Sequence, residues 1–271
     1  MLLPIARLNW STHLILRTAG SLPTLLMLLI QASLPAAALP AGNAQLEKQI
    51  LETIRKHPEV ILESLNRYHQ LEEQKKAEEA RKITKEIKDI PSSFIGESPI
   101  LGEAQSNQYL FIFSDFQCPF CAKALPSLRE FKRKHPEVTL VYKHLPLTNI
   151  HPQAASAAAA SWAAQQQGKF WPYHDALFDN QSQFSDAYYE EVATKLGLNV
   201  TQFNRDRKSQ SAYAAVEKDA KLAERLGLES TPFFIMNGQG ASGVLSSEGL
   251  EAMLSASSPA FPNAPVSNPI N

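Results

Sequence analysis

The chain has 271 residues, with 26 Lys and Arg against 27 Asp and Glu, and two cysteines. Balanced charge offers neither a basic stripe for nucleic acid nor an acidic tail for a charge-driven partner. This length buries a core without disulfide staples, and suits one medium domain plus an appendage.

Residues 1–38 read as an export signal. Arg7 and Arg17 supply positive charge, Leu22 to Ile30 is an apolar core, and Ala36-Ala37-Ala38 offers a small-residue cleavage site, with Ala41 as a later one. The apolar run is shorter than the roughly 20 residues that span a bilayer. The alternative is an uncleaved anchor. Export implies an oxidising compartment, the periplasm or its equivalent.

Residues 45–90 are predicted to be a helical arm. Leu46, Ile50 and Ile54 repeat at helical spacing, and Pro58 suits the first turn of a second helix. Ile61, Leu65, Tyr68 and Leu71 continue the stripe, and Ile83, Ile87 and Ile90 resume it beyond a charged stretch, 72–82. That stretch is polar nearly all round, unlike an ordinary core helix. The arm is therefore either a solvated linker helix or an extended element that pairs with its copy in a homo-oligomer. Pro91 to Pro99 breaks the helix and marks a boundary.

Tyr109 to Phe113 is a predicted buried strand, followed by Cys118-Pro119-Phe120-Cys121 at the start of a helix that runs to about Lys134, with a kink expected at Pro126. The helix start places Cys118 where unpaired N–H groups and the dipole favour a thiolate. The thiolate is the reactive form, and Cys-x-x-Cys sites lower its pKa. A structural disulfide here would close almost no loop. A structural zinc site needs further ligands that this chain does not space correctly. A c-type haem site needs His after the second Cys, where Ala122 stands. Redox chemistry is the remaining reading, with no metal and no cofactor. Two thiols without a Met cluster argue against a copper carrier.

Val138 to His144 is a second strand. A helical block spans about 153–227, with Gly168, Gly197 and Gly227 as stops. Ser230 to Asn237 is a proline-led strand, and Gly238, Gly240 and Gly243 punctuate a hairpin toward Val244-Leu245. A last helix runs from Ser246 or Ser247 to Leu254. Residues 257–271, rich in Pro, Ser, Ala and Asn, read as a disordered tail.

The Cys118–Cys121 motif after a strand, Pro146-Leu147 and His151-Pro152 after the next strand, the segment Phe170 to Phe178, and Ser230-Thr231-Pro232-Phe233-Phe234 together resemble the DsbA-type thioredoxin-fold oxidoreductases. The resemblance covers about residues 105–256 and implies an α/β thioredoxin fold with an inserted all-helical subdomain, within a domain spanning 100–256. The arm resembles, more loosely, that of the ScsC type, which trimerises through it. The resemblance implies a protein thiol–disulfide oxidoreductase, with Cys118 as nucleophile and Cys121 as buried resolving thiol. It also implies a cis Pro232 packed on the dithiol and Thr231 beside it, with Pro119 and Phe120 tuning the thiolate. Partners would be proteins carrying thiols or disulfides and a membrane redox protein. The alternatives are an isomerase or reductase kept reduced by that partner, and a non-catalytic client-binding protein.

Two departures bear on chemistry. Strong oxidants of the family carry His between the cysteines. Phe120 cannot supply that charge, so a less acidic Cys118 and a weaker oxidant are expected. Several members also place an acid where this chain has Ile112. Asp115 lies closer to the motif and reads as a turn or helix cap, with proton acceptance through water as the alternative. His144, His151 and His174 read as packing or surface residues.

Overall fold

The computed structural model describes residues 43–256. The expected export signal and disordered tail lie outside them. The chain divides into two compact units at Pro58. The first carries α1 (Ala44–Lys56), capped by Asn43, whose side chain accepts from the N–H groups of Gln45 and Leu46. Leu46, Ile50, Leu51 and Ile54 of α1 are exposed.

The second unit begins at Glu59, inside α2 (Pro58–Asp89), and continues into the short α3 (Ser92–Ile95). Its sheet contains β1 (Ile100–Leu101), β2 (Tyr109–Ser114), β3 (Thr139–His144), β4 (Phe233–Met236) and β5 (Gln239–Ser242). The strand order is β1-β3-β2-β4-β5. β2 and β3 are parallel, joined through α4 (Pro119–Lys134), and the other pairs are antiparallel. Five helices lie between β3 and β4: α5 (Ala154–Gln165), α6 (Phe170–Asp179), α7 (Asp186–Lys195), α8 (Val200–Asp206) and α9 (Gln210–Arg225). α10 (Ser247–Ser255) closes the described chain, capped by the Ser246 hydroxyl on the N–H of Gly249.

Alternation along the central strands builds two cores. Leu110, Ile112, Leu140, Tyr142, Phe234 and Met236 face one way, packing with residues of α4, α6 and α10. Phe111, Phe113, Val141, Phe233 and Ile235 face the other, against Ile83 and Ile87 of α2 and Ala223 of α9. Burial on both faces explains why β2 reads as an unbroken apolar run.

The end of α2 belongs to this second core. Ala80, Ile83, Thr84 and Ile87 are buried, an i, i+3, i+4, i+7 stripe one row wide. Ile90 is exposed, as are Val60, Ile61, Leu65, Tyr68 and Leu71 earlier in the helix. The hairpin also differs from expectation. Asn237 and Gly238 both have positive φ and form a two-residue loop. The return strand is Gln239–Ser242, so Val244 and Leu245 lie beyond it. Among the described residues no helix is long and apolar enough to cross a membrane.

Candidate active site

Cys118 ends the turn after β2, in extended conformation, and Pro119 opens α4. A proline costs the helix nothing there, because a first-turn N–H has no partner within the helix. Both cysteines are buried and both thiols are free. Across 113 residues of chain, the loop before β4 brings the Thr231 carbonyl to the Cys118 Sγ, which donates to it at 3.4 Å. The Thr231–Pro232 bond is cis. The buried Thr231 hydroxyl has no hydrogen-bond partner among the described residues, and the Thr231 side chain favours the thiolate at the same sulfur.

These contacts separate the two thiols. The Cys118 pKa is lowered to about 5, first by the hydrogen bond with Cys121, then by Thr231 and the N–H groups of Cys121 and Phe120. Burial opposes this shift without cancelling it. Cys121 moves the opposite way: burial raises its pKa, and the bond to Cys118 adds to the effect. A value of about 5 lies between the roughly 7 of thioredoxin and 3.5 of DsbA. The Phe120 side chain is 59% exposed and contributes no charge; the neighbouring N–H groups and hydroxyl stabilise the thiolate instead.

Asp115 is a structural tie. Its Oδ1 accepts from the N–H of Gln117 at 2.7 Å, which makes the turn. Its Oδ2 accepts from the N–H of Leu147 at 2.9 Å and from His151 Nδ1 at 2.7 Å. The carboxylate thus fastens the segment after β3 to the turn that carries Cys118. His151 is part of this tie, a structural role given by a hydrogen bond rather than by apolar packing. Gln181, which sequence reasoning missed, donates through Nε2 to the carbonyls of Phe116 at 2.7 Å and Cys118 at 2.9 Å. The helical insert therefore holds the backbone at the nucleophile position. Nothing local to Gln181 signals this, whereas His151-Pro152 stood out as a motif. Under the turn, Phe116 packs its ring on Tyr142, Phe178 and His174, with centroids 5.3, 5.0 and 5.7 Å apart.

A model of the DSBA-like thioredoxin domain matches residues 110–255, more than half of the chain. The chain belongs to this family. Residues 110–255 form its DSBA-like thioredoxin domain. Among solved structures, a thioredoxin-like oxidoreductase from Silicibacter pomeroyi is 27% identical with a TM-score of 0.53, covering 59% of this chain and 91% of that one. Proteus mirabilis ScsC in a transitional conformation shares the fold at 21% identity and a TM-score of 0.55, covering 78% of this chain and 96% of that one. A curated relative, the Na(+)/H(+) antiporter NhaA 3 of Salinispora tropica, is 34% identical over 140 residues, 52% of this chain. This DSBA-like chain spans only 22% of that relative's length. Among the described residues of the domain, no group of three or more His, Cys, Asp or Glu could hold a metal ion.

Proposed function

We propose that the protein is exported and exchanges disulfides with folding proteins through Cys118 and Cys121. The observation that carries this reading is the opposed acidity of the two thiols, Cys118 lowered to about 5 and Cys121 raised by burial. In the oxidised protein a substrate thiolate attacks Cys118 Sγ. The Cys118–Cys121 bond breaks, Cys121 takes the electron pair and a proton, and a mixed disulfide forms at Cys118. A second substrate thiolate attacks the substrate sulfur of that bond. The substrate disulfide forms and Cys118 leaves as a thiolate. A low pKa makes Cys118 a good leaving group and stabilises the reduced protein, which favours oxidation of substrates. Pro232 and Thr231 flank the sulfur where the peptide docks, and exposed Phe120 adds an apolar contact beside it. A membrane redox protein restores the disulfide.

The test is oxidative refolding of a reduced, disulfide-containing substrate by the oxidised protein. Wild type is expected to accelerate it and Cys118→Ala to be inert. Reduced Cys121→Ala, offered the disulfide form of the substrate, should trap a mixed disulfide at Cys118, because Cys118 attacks the substrate disulfide and no resolving thiol remains. Equal rates for wild type and Cys118→Ala would overturn the reading and leave client binding in its place.

The isomerase or reductase reading draws on the arm. Exposed apolar residues on α1, and separately along α2 from Val60 to Leu71, suit packing against another copy. Several dithiols in one assembly would hold a misfolded client near more than one nucleophile. Sedimentation of the full chain and of Leu65→Glu checks it: an oligomer converted to monomer is expected, and a wild-type monomer would remove the argument.

A further inference from the structure

Beside α4 lies a cavity of about 640 Å³ whose lining includes Cys121 and Pro232 but extends well beyond the dithiol. This is within the range of small-molecule sites, while packed interiors rarely leave voids larger than a water. Its wall is apolar, with Ile112 and Leu140 from the sheet, Leu125 and Leu128 from α4, and Trp171 from α6. Buried Cys121 and Tyr142 line it, as do the half-exposed Arg129 and Asp175, so it runs from the core to solvent.

The solvent end is cationic. Arg129, Lys132 and Arg133 lie on one face of α4; Asp175 is the one carboxylate among the lining residues, and Glu103 and Glu137 act on Lys132. Asp175 is already engaged by Arg129 at 3.2 Å and by His174 Nδ1 at 2.9 Å. Lys132 is spent on the carbonyls of Pro136 and Val138. Arg133 forms no ion pair among the described residues and is exposed. An apolar chamber with a spare guanidinium at its mouth is complementary to a molecule with an apolar body and one anionic end.

We propose that this cavity binds a free, single-chain amphipathic carboxylate. Its hydrocarbon part lies against Leu128, Trp171 and Cys121, and its carboxylate meets Arg133 and Arg129. The cavity touches Cys121 and Pro232 but not Cys118 or Thr231, and binding does not require disulfide exchange.

Calorimetric titration of the reduced full chain with decanoate, below its micelle concentration, tests this. Saturable one-to-one binding is expected, and it should persist in Cys118→Ser, so loss of exchange and loss of this site are distinguishable. Leu128→Trp fills the chamber and should abolish binding while leaving disulfide exchange intact. The surface double variant Arg129→Ala/Arg133→Ala, which removes no core contact, should weaken decanoate roughly ten-fold and leave decanol unchanged. No saturable heat with decanoate would overturn the proposal, as would affinities indifferent to the arginine pair. Binding confined to phosphatidylglycerol vesicles would also overturn it, in favour of a membrane surface.

Discussion

Cys118 and Cys121 stand one helical turn apart, yet their surroundings push their acidities in opposite directions. Cys118 sits where N–H groups of the first turn and Thr231 meet its sulfur. Cys121 lies one turn deeper, in a wall of apolar side chains. The same logic governs His144. Its ring is buried against Phe116, Tyr142 and Phe170, and neither ring nitrogen has a hydrogen-bond partner among the described residues. Burial lowers its pKa to about 4 from the ordinary 6.5. The unfolded chain therefore binds this proton at higher pH than the native one. The contribution to stability is full above about pH 6.5 and is lost as pH falls toward 4. His144→Phe replaces an unpaired polar ring with an apolar one of similar shape. Urea unfolding should show stability at pH 7 within about 1 kcal/mol of wild type and a shallower loss between pH 6.5 and 4. An unchanged acid slope would refute this account of His144.

One buried ion pair ties β3 to the insert. Lys143 Nζ meets Asp219 Oδ1 at 2.9 Å with side chains 4% and 8% exposed, and also donates to Ser98 Oγ at 2.7 Å. Asp219 Oδ2 accepts from the N–H of His144 at 3.0 Å. Asp219→Ala strands a buried ammonium and a strand N–H, and should cost about 3–5 kcal/mol in urea unfolding. A loss below about 1 kcal/mol would mean that water replaces the carboxylate. Elements of this kind divide into those legible in the chain and those that were not. β2, α4 and α6 were legible because their signals are local: an apolar run, a proline at a helix start, and a compact aromatic repeat. β1 was not, because two residues carry no periodicity. The hairpin was misplaced because Asn237-Gly238 closes the loop at once, while the later glycines drew the return strand toward Val244. The end of α2 was hidden by its charge: only four residues of that stretch face the sheet.

Across the whole second unit, the site is assembled by three distant pieces of chain. The dithiol itself is sequence-local and was legible from spacing alone. The Thr231 carbonyl arrives from 113 residues away and the Gln181 amide from 63. Neither contact is written in any short motif, because only closure of the sheet and docking of the insert create them. Cys118 acidity, by contrast, rests first on Cys121 and on the N–H groups of Cys121 and Phe120 within the Cys-Pro-Phe-Cys run, with the Thr231 side chain as the contribution that folding brings in. The direct measurement is the rate of iodoacetamide alkylation at Cys118 of the reduced protein from pH 3 to 9, with the labelled site assigned by mass spectrometry. The account predicts a half-maximal rate near pH 5, with Cys121 unlabelled through neutral pH. A midpoint near the roughly 8.5 of an ordinary thiol, or labelling of Cys121 first, would contradict it.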